Sequence, residues 1–304
     1  MLVSVIIPCF NVENYIVGCV NSVLKQEHKE LEIICVDNNS SDGTLSVLHK
    51  INKEYPSIKV LRENNPGACY ARNKGLDASN SEYIQFLDAD DILMPQKISS
   101  QVNIAEKGLC EIVIGDYSRV KLNGERVEII PVKNDSWLGL LSTRLGITSS
   151  CLWKKEAVVK AGGWNTQYQS SQEYELMFRL MQHKSHITFD DVNNTLVQDR
   201  KAGNISSLNL SRSWFQYCNL RAEILNYVIK NNINPTKHGE YYQVLFDAIR
   251  TLAKYDLKRA VSLFKKNIPS CFSPAHSAAT SPSYILLYNL LGFHNSERVK
   301  NFFN

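Results

Sequence analysis

Four short apolar runs, Leu2–Ile7, Leu31–Val36, Ile58–Leu61 and Tyr83–Leu87, each end in polar residues, and the first three lead into stretches with helical spacing. Runs of this length are too short for buried helices and suit buried strands. The intervening helices are expected over Asn11–Lys25, from Thr44 with Asp42 as its N-cap, and over Ala68–Ala78. Strand and helix alternating at this spacing predict an α/β fold with a largely parallel sheet flanked by helices. In such a sheet, ligands bind beyond the carboxyl ends of the strands. Pro8–Asn11, Asp37 and Asp88-Ala89-Asp90-Asp91 therefore converge on one crevice. Strand alternation predicts that Asp88 and Asp90 point to the same side. Two hard oxygen donors there suit Mg²⁺ or Mn²⁺ together with a diphosphate. The plainer alternative is a strand end whose acids cap the next helix, though capping needs only one of the three.

Composition excludes several classes. A net charge of +4 across 304 residues argues against a nucleic-acid partner. Eight cysteines are scattered without a C-x-x-C pair, several of them inside apolar runs, and read as buried thiols of a reducing compartment. The first apolar run is strand-length and stops at Pro8, unlike a secretory leader. Tyr284–Phe293 is too short to span a bilayer. A cytoplasmic protein is expected.

Downstream of Pro95 the pattern changes. Helices are expected over Ile98–Glu106, Glu156–Ala161 (closed by Gly162-Gly163) and Ser171–Gln182. Strands are expected over Glu111–Ile114 and Leu196–Val197, with a hairpin over Val120–Ile130 turning at Asn123-Gly124. From about Leu208 the sequence is helical in flavour, with an irregular crossing at Ser270–Pro282. Asp37 is placed to accept hydrogen bonds from a base or ribose, or else to form the turn before Asn38. Neither G-x-G-x-x-G nor G-x-x-x-x-G-K-[ST] occurs, so a diphosphate would be held by metal and side chains. Arg72 is a candidate for that task, although a single helical arginine more commonly lies on a solvated face.

Val3-Ser4-Val5-Ile6-Ile7-Pro8-Cys9-Phe10-Asn11 and Val36-Asp37-Asn38-Asn39-Ser40-Ser41-Asp42-Gly43-Thr44 resemble the opening of family 2 glycosyltransferases. Asn65-Pro66-Gly67-Ala68-Cys69-Tyr70-Ala71-Arg72-Asn73-Lys74-Gly75 and Leu87-Asp88-Ala89-Asp90-Asp91 continue the resemblance in order. The resemblance covers roughly residues 1–206 and implies a GT-A fold, a nucleotide-diphospho-sugar donor (UDP-sugars foremost) and a divalent metal. Its halves would be 1–95, binding the donor, and 96–206, binding the acceptor. It further implies that Pro8, Phe10 and Asn11 line the nucleotide pocket, that Asp37 binds the nucleoside, and that Arg72 lies near base or phosphates. Asp88-Ala89-Asp90 resembles the D-x-D motif, with Asp90 the direct metal contact and Asp88 beside it. Glu173 takes the place of the catalytic base, where an aspartate is commoner, and a base must reach the acceptor hydroxyl within hydrogen-bond range. Trp164, Gln172 and Arg200 belong to the acceptor side. The family often has Arg-x-His after its last core strand, whereas this chain has Arg200-Lys201-Ala202.

The implied reaction is inverting transfer to a saccharide or lipid-linked saccharide in surface-polysaccharide synthesis. A catalytically inactive nucleotide-sugar-binding protein of the same fold, or a Mg²⁺-dependent phosphohydrolase using Asp88, are the alternatives. Residues 207–304 are expected to form a helical region. Leu257, Val261 and Phe264, flanked by Lys254, Lys258, Arg259, Lys265 and Lys266, make one stripe suited either to packing or to an anionic membrane at the inner face.

Overall fold

The computed structural model of the chain describes residues 1–108, 110–200 and 210–303. It opens with three strand–helix pairs: β1 (Val3–Cys9), α1 (Ile16–Leu24), β2 (Leu31–Asp37), α2 (Thr44–Glu54), β3 (Lys59–Arg62) and α3 (Ala68–Ala78). Next come β4 (Tyr83–Phe86), β5 (Ile92–Leu93), α4 (Lys97–Gly108), β6 (Ile112–Gly115), β7 (Tyr117–Val120), β8 (Arg126–Ile129) and α5 (Ser136–Leu141). There follow β9 (Cys151–Lys154), α6 (Lys155–Lys160), α7 (Gln172–Gln182), β10 (Ile187–Asp190) and β11 (Thr195–Gln198). The last four helices are α8 (Leu210–Lys230), α9 (His238–Ala253), α10 (Leu257–Asn267) and α11 (Pro282–Phe303).

The main sheet runs β10-β6-β9-β4-β1-β2-β3. Strands β4, β1, β2 and β3 are mutually parallel, β9 is antiparallel to both its neighbours, and β10 returns parallel to β6. The mostly parallel α/β sheet flanked by helices is therefore present. β1 is buried almost throughout, as the near-continuous Val/Ile run of a sheet covered on both faces requires. The strand order reverses at β1, which has β4 on one side and β2 on the other, and ligand crevices open at such switch points. Register sets the crevice edge, since Cys9 lies beside Asp37, Asp37 beside Arg62, and Ile6 beside Phe86. A second sheet, β5-β11-β7-β8, contains the hairpin expected at Asn123-Gly124, with Gly124 at φ 84°.

Two expectations need correction. α1 begins at Ile16, not Asn11, because residues 11–15 form a turn tied to the β2–α2 loop. Asn11 sits at φ 51°, its Oδ1 accepts from the Ser41 N–H, and the Val12 N–H donates to Thr44 Oγ1. Strands β9 and β10 were not anticipated. Cys151-Leu152-Trp153 reads as a mere apolar triplet, yet it is fully buried between β4 and β6. Its strand character comes from sheet neighbours distant in sequence.

The described residues among 1–139, 143–168 and 172–203 form one compact unit, and those among 140–142, 169–171 and 204–304 form another. Within the second, Phe246 packs against Phe264, Phe272, Tyr284, Tyr288 and Phe293, and Phe264 stacks on Phe293 at 4.3 Å between ring centroids. Phe264, one residue of the Leu257, Val261 and Phe264 stripe, thus belongs to this aromatic core, and all three are half-buried. Among the described residues no helix is long and apolar enough to cross a membrane.

Helix α3 lies directly on β1 because Gly75 carries no side chain, and a Cβ there would overlap Cγ2 of the branched, fully buried Ile6. Gly75→Ala should therefore cost about 1–3 kcal/mol through overpacking. The expected result is a lower urea midpoint at unchanged slope. An unchanged midpoint would show that α3 shifts freely and does not fix Arg72 in place.

Candidate active site

The chain leaves β4 at Phe86, and the Leu87 N–H still donates to the Ile6 carbonyl before the backbone turns, closed by Asp91 N–H to Asp88 O at 2.9 Å. Strand alternation therefore does not govern the acids, and the prediction that places Asp88 and Asp90 by alternation gives way to a turn with separate partners. Asp88 Oδ1 accepts from Arg72 Nη2 at 2.7 Å, and Asp90 Oδ2 accepts from Arg200 Nε at 2.5 Å. Asp91 is buried and accepts from Ser149 Oγ at 2.6 Å, while the same hydroxyl accepts from the Asp88 N–H at 3.1 Å. Ala89 is buried between them. Burial and the neighbouring Asp88 charge raise the Asp90 carboxyl despite Arg200, and burial with Asp88 and Asp90 raises Asp91 well above the carboxylate range.

Arg72 is not on a solvated helix face. Its side chain is 5% exposed, donates to Gln172 Oε1 at 2.7 Å as well as to Asp88, and lies over the Trp164 ring with 4.5 Å to the centroid. Trp164 is held from below by an edge contact with Phe86 at 5.0 Å. Its backbone is clasped by Asn73, whose Oδ1 accepts from the Trp164 N–H and whose Nδ2 donates to the Trp164 carbonyl, both at 2.8 Å. One turn of α3 thus presents Arg72 and Asn73 to the loop before α7.

Glu173 stands in the first turn of α7, one residue after Gln172. It is half-buried rather than an exposed helix acid. Burial raises its carboxyl above the ordinary glutamate value, its own N–H and Arg72 draw it back, and Asp88 adds to the rise. Glu175, the other acid of this turn, is neutralised by Arg179 through contacts of 2.8 and 2.6 Å. Glu173 has no such ion pair among the described residues.

On the β1–β2 side, Pro8 is half-buried and Phe10 is exposed at the sheet edge, with Asn11 next to it. Asp37 is 1% exposed; among the described residues its Oδ1 has no hydrogen-bond partner, and its Oδ2 lies 3.9 Å from Arg62 Nε. A buried carboxylate oxygen without a partner is costly and marks a place for a ligand donor. Asn38 ties this edge to α3: its Nδ2 donates to the carbonyls of Glu63 and Asn65, and its Oδ1 accepts from the Gly67 N–H at 2.7 Å. Asn38, Asn73 and Ser149 were not singled out from the sequence. Asn38 and Asn73 stand inside the quoted motifs, and only their partners reveal their work. Lys201 and Ala202, where the Arg-x-His pattern breaks, lie outside the described residues.

A mostly parallel sheet flanked by helices, with acids and arginines at its carboxyl edge, is an α/β architecture of the GT-A kind. Residues 4–150 match the family model described as Glycosyl transferase family 2. The chain is 39% identical over 124 residues to the putative teichuronic acid biosynthesis glycosyltransferase TuaG of Bacillus subtilis, covering 40% of this chain and 49% of that protein. It is 34% identical over 117 residues to glycosyltransferase GlyG of Streptococcus pneumoniae, covering 38% of this chain and 39% of that one. The matched stretches thus span half or less of these relatives. In three dimensions it is similar to S. aureus TarS 1–349 in complex with UDP-GlcNAc, with a TM-score of 0.71 and 17% identity over 99% of this chain and 89% of that one. Residues 4–150 thus carry a glycosyl transferase family 2 domain.

The raised Glu173 carboxyl has a consequence for stability. A folded-state pKa above the unfolded value contributes stability that is present below the unfolded pKa and lost as pH rises through the folded one. Glu173→Gln should therefore raise Tm above wild type at pH 8 and by less at pH 4. Equal Tm differences at the two pH values would mean that Glu173 is not desolvated in the folded protein.

Proposed function

We propose that the protein transfers a sugar from a nucleotide-diphospho-sugar, UDP-sugars foremost, to a hydroxyl of a saccharide or lipid-linked saccharide acceptor, with inversion at the anomeric carbon. The likeness to TuaG supports a place in the building of a surface polysaccharide, and the UDP-GlcNAc complex of TarS supports the donor class. The observation that carries the reading is the bonding of Arg72, which pairs with Asp88 at 2.7 Å and through Gln172 reaches the first turn of α7, where Glu173 stands.

Asp37, with its unpartnered oxygen, receives donors from the nucleoside, and Pro8, Phe10 and Asn11 border it. Glu173 accepts the proton of the acceptor hydroxyl. That oxygen then bonds to the anomeric carbon from the face opposite the diphosphate, whose bond to the same carbon breaks. A base with a raised pKa is better matched to a hydroxyl at neutral pH than an ordinary carboxylate. Arg72 holds Asp88 in place and, through Gln172, fixes the start of α7 that carries the base.

The residues fit a hard divalent cation. Among the described residues no cluster of three or more His, Cys, Asp or Glu side chains forms a metal cage, but Asp88 and Asp90 offer two carboxylates. That suits a Mg²⁺ or Mn²⁺ ion that takes its remaining oxygens from diphosphate and water. Burial, and after it the Asp88 charge, raise the Asp90 carboxyl despite Arg200, and a cation beside it would favour the carboxylate. Held by Asp88 and Asp90, the ion would take up charge developing on the leaving diphosphate.

Glu173→Gln should lower turnover by ~10²–10⁴ while leaving donor affinity nearly unchanged. Steady-state rates with calorimetric donor titration separate the two, and a parallel collapse of donor binding would move the base elsewhere. Asp90→Ala should abolish the Mn²⁺ dependence of donor binding. If titrations of this variant still show tighter donor binding with Mn²⁺, the cation sits on other residues.

A further inference from the structure

Helix α4 buries two polar side chains where an amphipathic helix would place apolar ones. Lys97 and Gln101 stand one turn apart and are each 1% exposed, beside the apolar face made by Ile98, Val102 and Ala105. Among the described residues Lys97 forms no ion pair, and its Nζ donates to Gln85 Oε1. A buried ammonium with a neutral partner is poorly compensated, and burial accordingly pushes its pKa down to about 7. Gln85 is itself a fully buried polar residue inside the apolar strand β4. Polar residues that break the pattern of a core in this way tend to serve a site.

Their bonds lead to the acid turn. Gln85 Nε2 donates to the Phe86 carbonyl at 2.6 Å and to the Ser149 carbonyl at 3.0 Å, so it ties the end of β4 to the single turn Thr148–Ser150. Gln101 Nε2 donates to the next carbonyl, that of Ser150, at 2.9 Å. Gly115 leaves room for this bond, since a Cβ there would stand 2.7 Å from Gln101 Nε2 and 3.0 Å from the Ser150 oxygen. All three residues of the turn are buried, and the Ser149 hydroxyl holds both the Asp91 carboxylate and the Asp88 N–H. Two successive carbonyls of the turn are thus gripped from the α4 side, and its hydroxyl fixes the acids.

We propose that Lys97 is a positioning residue for the cation site, acting through Gln85 and the Thr148–Ser150 turn, with Gln101 as a second strut, to set Asp88 and Asp90 in place before a metal arrives. This rests on the reading that these acids receive a divalent cation with the donor diphosphate, and adds to it a residue that touches neither. The Gln85 amide must keep its nitrogen toward two carbonyl oxygens, and its own oxygen then needs a donor in a fully buried place. Lys97 is that donor. Methionine at this position leaves the oxygen without one, and the amide no longer holds Ser149. Residues that orient a metal's ligands change metal affinity by ~10–100-fold when removed.

The test is calorimetric titration of the full chain with UDP, with and without Mn²⁺, and the quantity read is the factor by which the metal tightens binding. In Lys97→Met that factor is expected to fall about tenfold. UDP affinity without metal should stay at the wild-type value, because Asp37 and its neighbours are not on this path. Ser149→Ala should act alike, and the Lys97→Met, Ser149→Ala double variant should lose no more than Ser149→Ala alone, as two residues on one path do. A residue that only stabilises the core would lower the urea midpoint and leave the factor unchanged. Where Lys97→Met does not fold, Gln101→Leu makes the same test through the second strut, with a smaller fall expected. An unchanged factor in the folded variant would overturn the proposal, as would losses that multiply in the double variant. If Mn²⁺ fails to tighten UDP binding even in the wild-type protein, the cation reading itself falls and the proposal with it.

Discussion

The ion pair between Arg72 and Asp88 is the interaction on which the site depends. Asp88 adds to the raised pKa of Asp90, Asp91 and Glu173, so its charge reaches three neighbouring acids. Arg72 is the partner that answers it, at 2.7 Å. The pair is asymmetric: the Arg72 side chain is 5% exposed and that of Asp88 is 39% exposed. Stranding one partner of a fully buried pair costs about 3–5 kcal/mol, and the exposure of Asp88 puts this pair below that range. The larger penalty falls on Arg72 when it is the partner left behind. A site built in this way tolerates a cation or a diphosphate arriving on the Asp88 side, because that side is already open to water.

What holds Arg72 in place is a set of neutral contacts reaching in three directions. Gly75 lets α3 sit against Ile6, Asn73 clasps the Trp164 backbone, and Trp164 covers the guanidinium. Gln172 then links Arg72 to the first turn of α7 and so to Glu173. The acid turn after β4 and the first turn of α7 are thereby joined through one arginine. Ser149 does similar work for the acid turn, bonding both the Asp91 carboxylate and the Asp88 N–H. This is how fixed polar groups come to be present before substrate arrives.

The first half of the chain is the more legible. β1 to β4 and α3 follow from apolar runs and helical spacing, because the parallel strands are buried on both faces and therefore read as continuous apolar segments. β9 was not legible, since its strand character comes from β4 and β6, distant in sequence. The acids after β4 announced a ligand edge, but their individual directions did not follow from strand period, because the backbone turns at Asp88. Arg72 shows the same limit: its residue type suggested a solvated face, and only the packing of Trp164 and Gln172 makes it buried.

The central claim is that this acidic edge receives a nucleotide-diphospho-sugar with a divalent cation. Calorimetric titration of the wild-type protein with UDP-, GDP- and dTDP-sugars, each with and without Mn²⁺, tests it most directly. The account predicts saturable one-to-one binding of at least one of them, strengthened by the metal. Absence of binding by any nucleotide sugar up to millimolar concentration, with Mn²⁺ present, would contradict it.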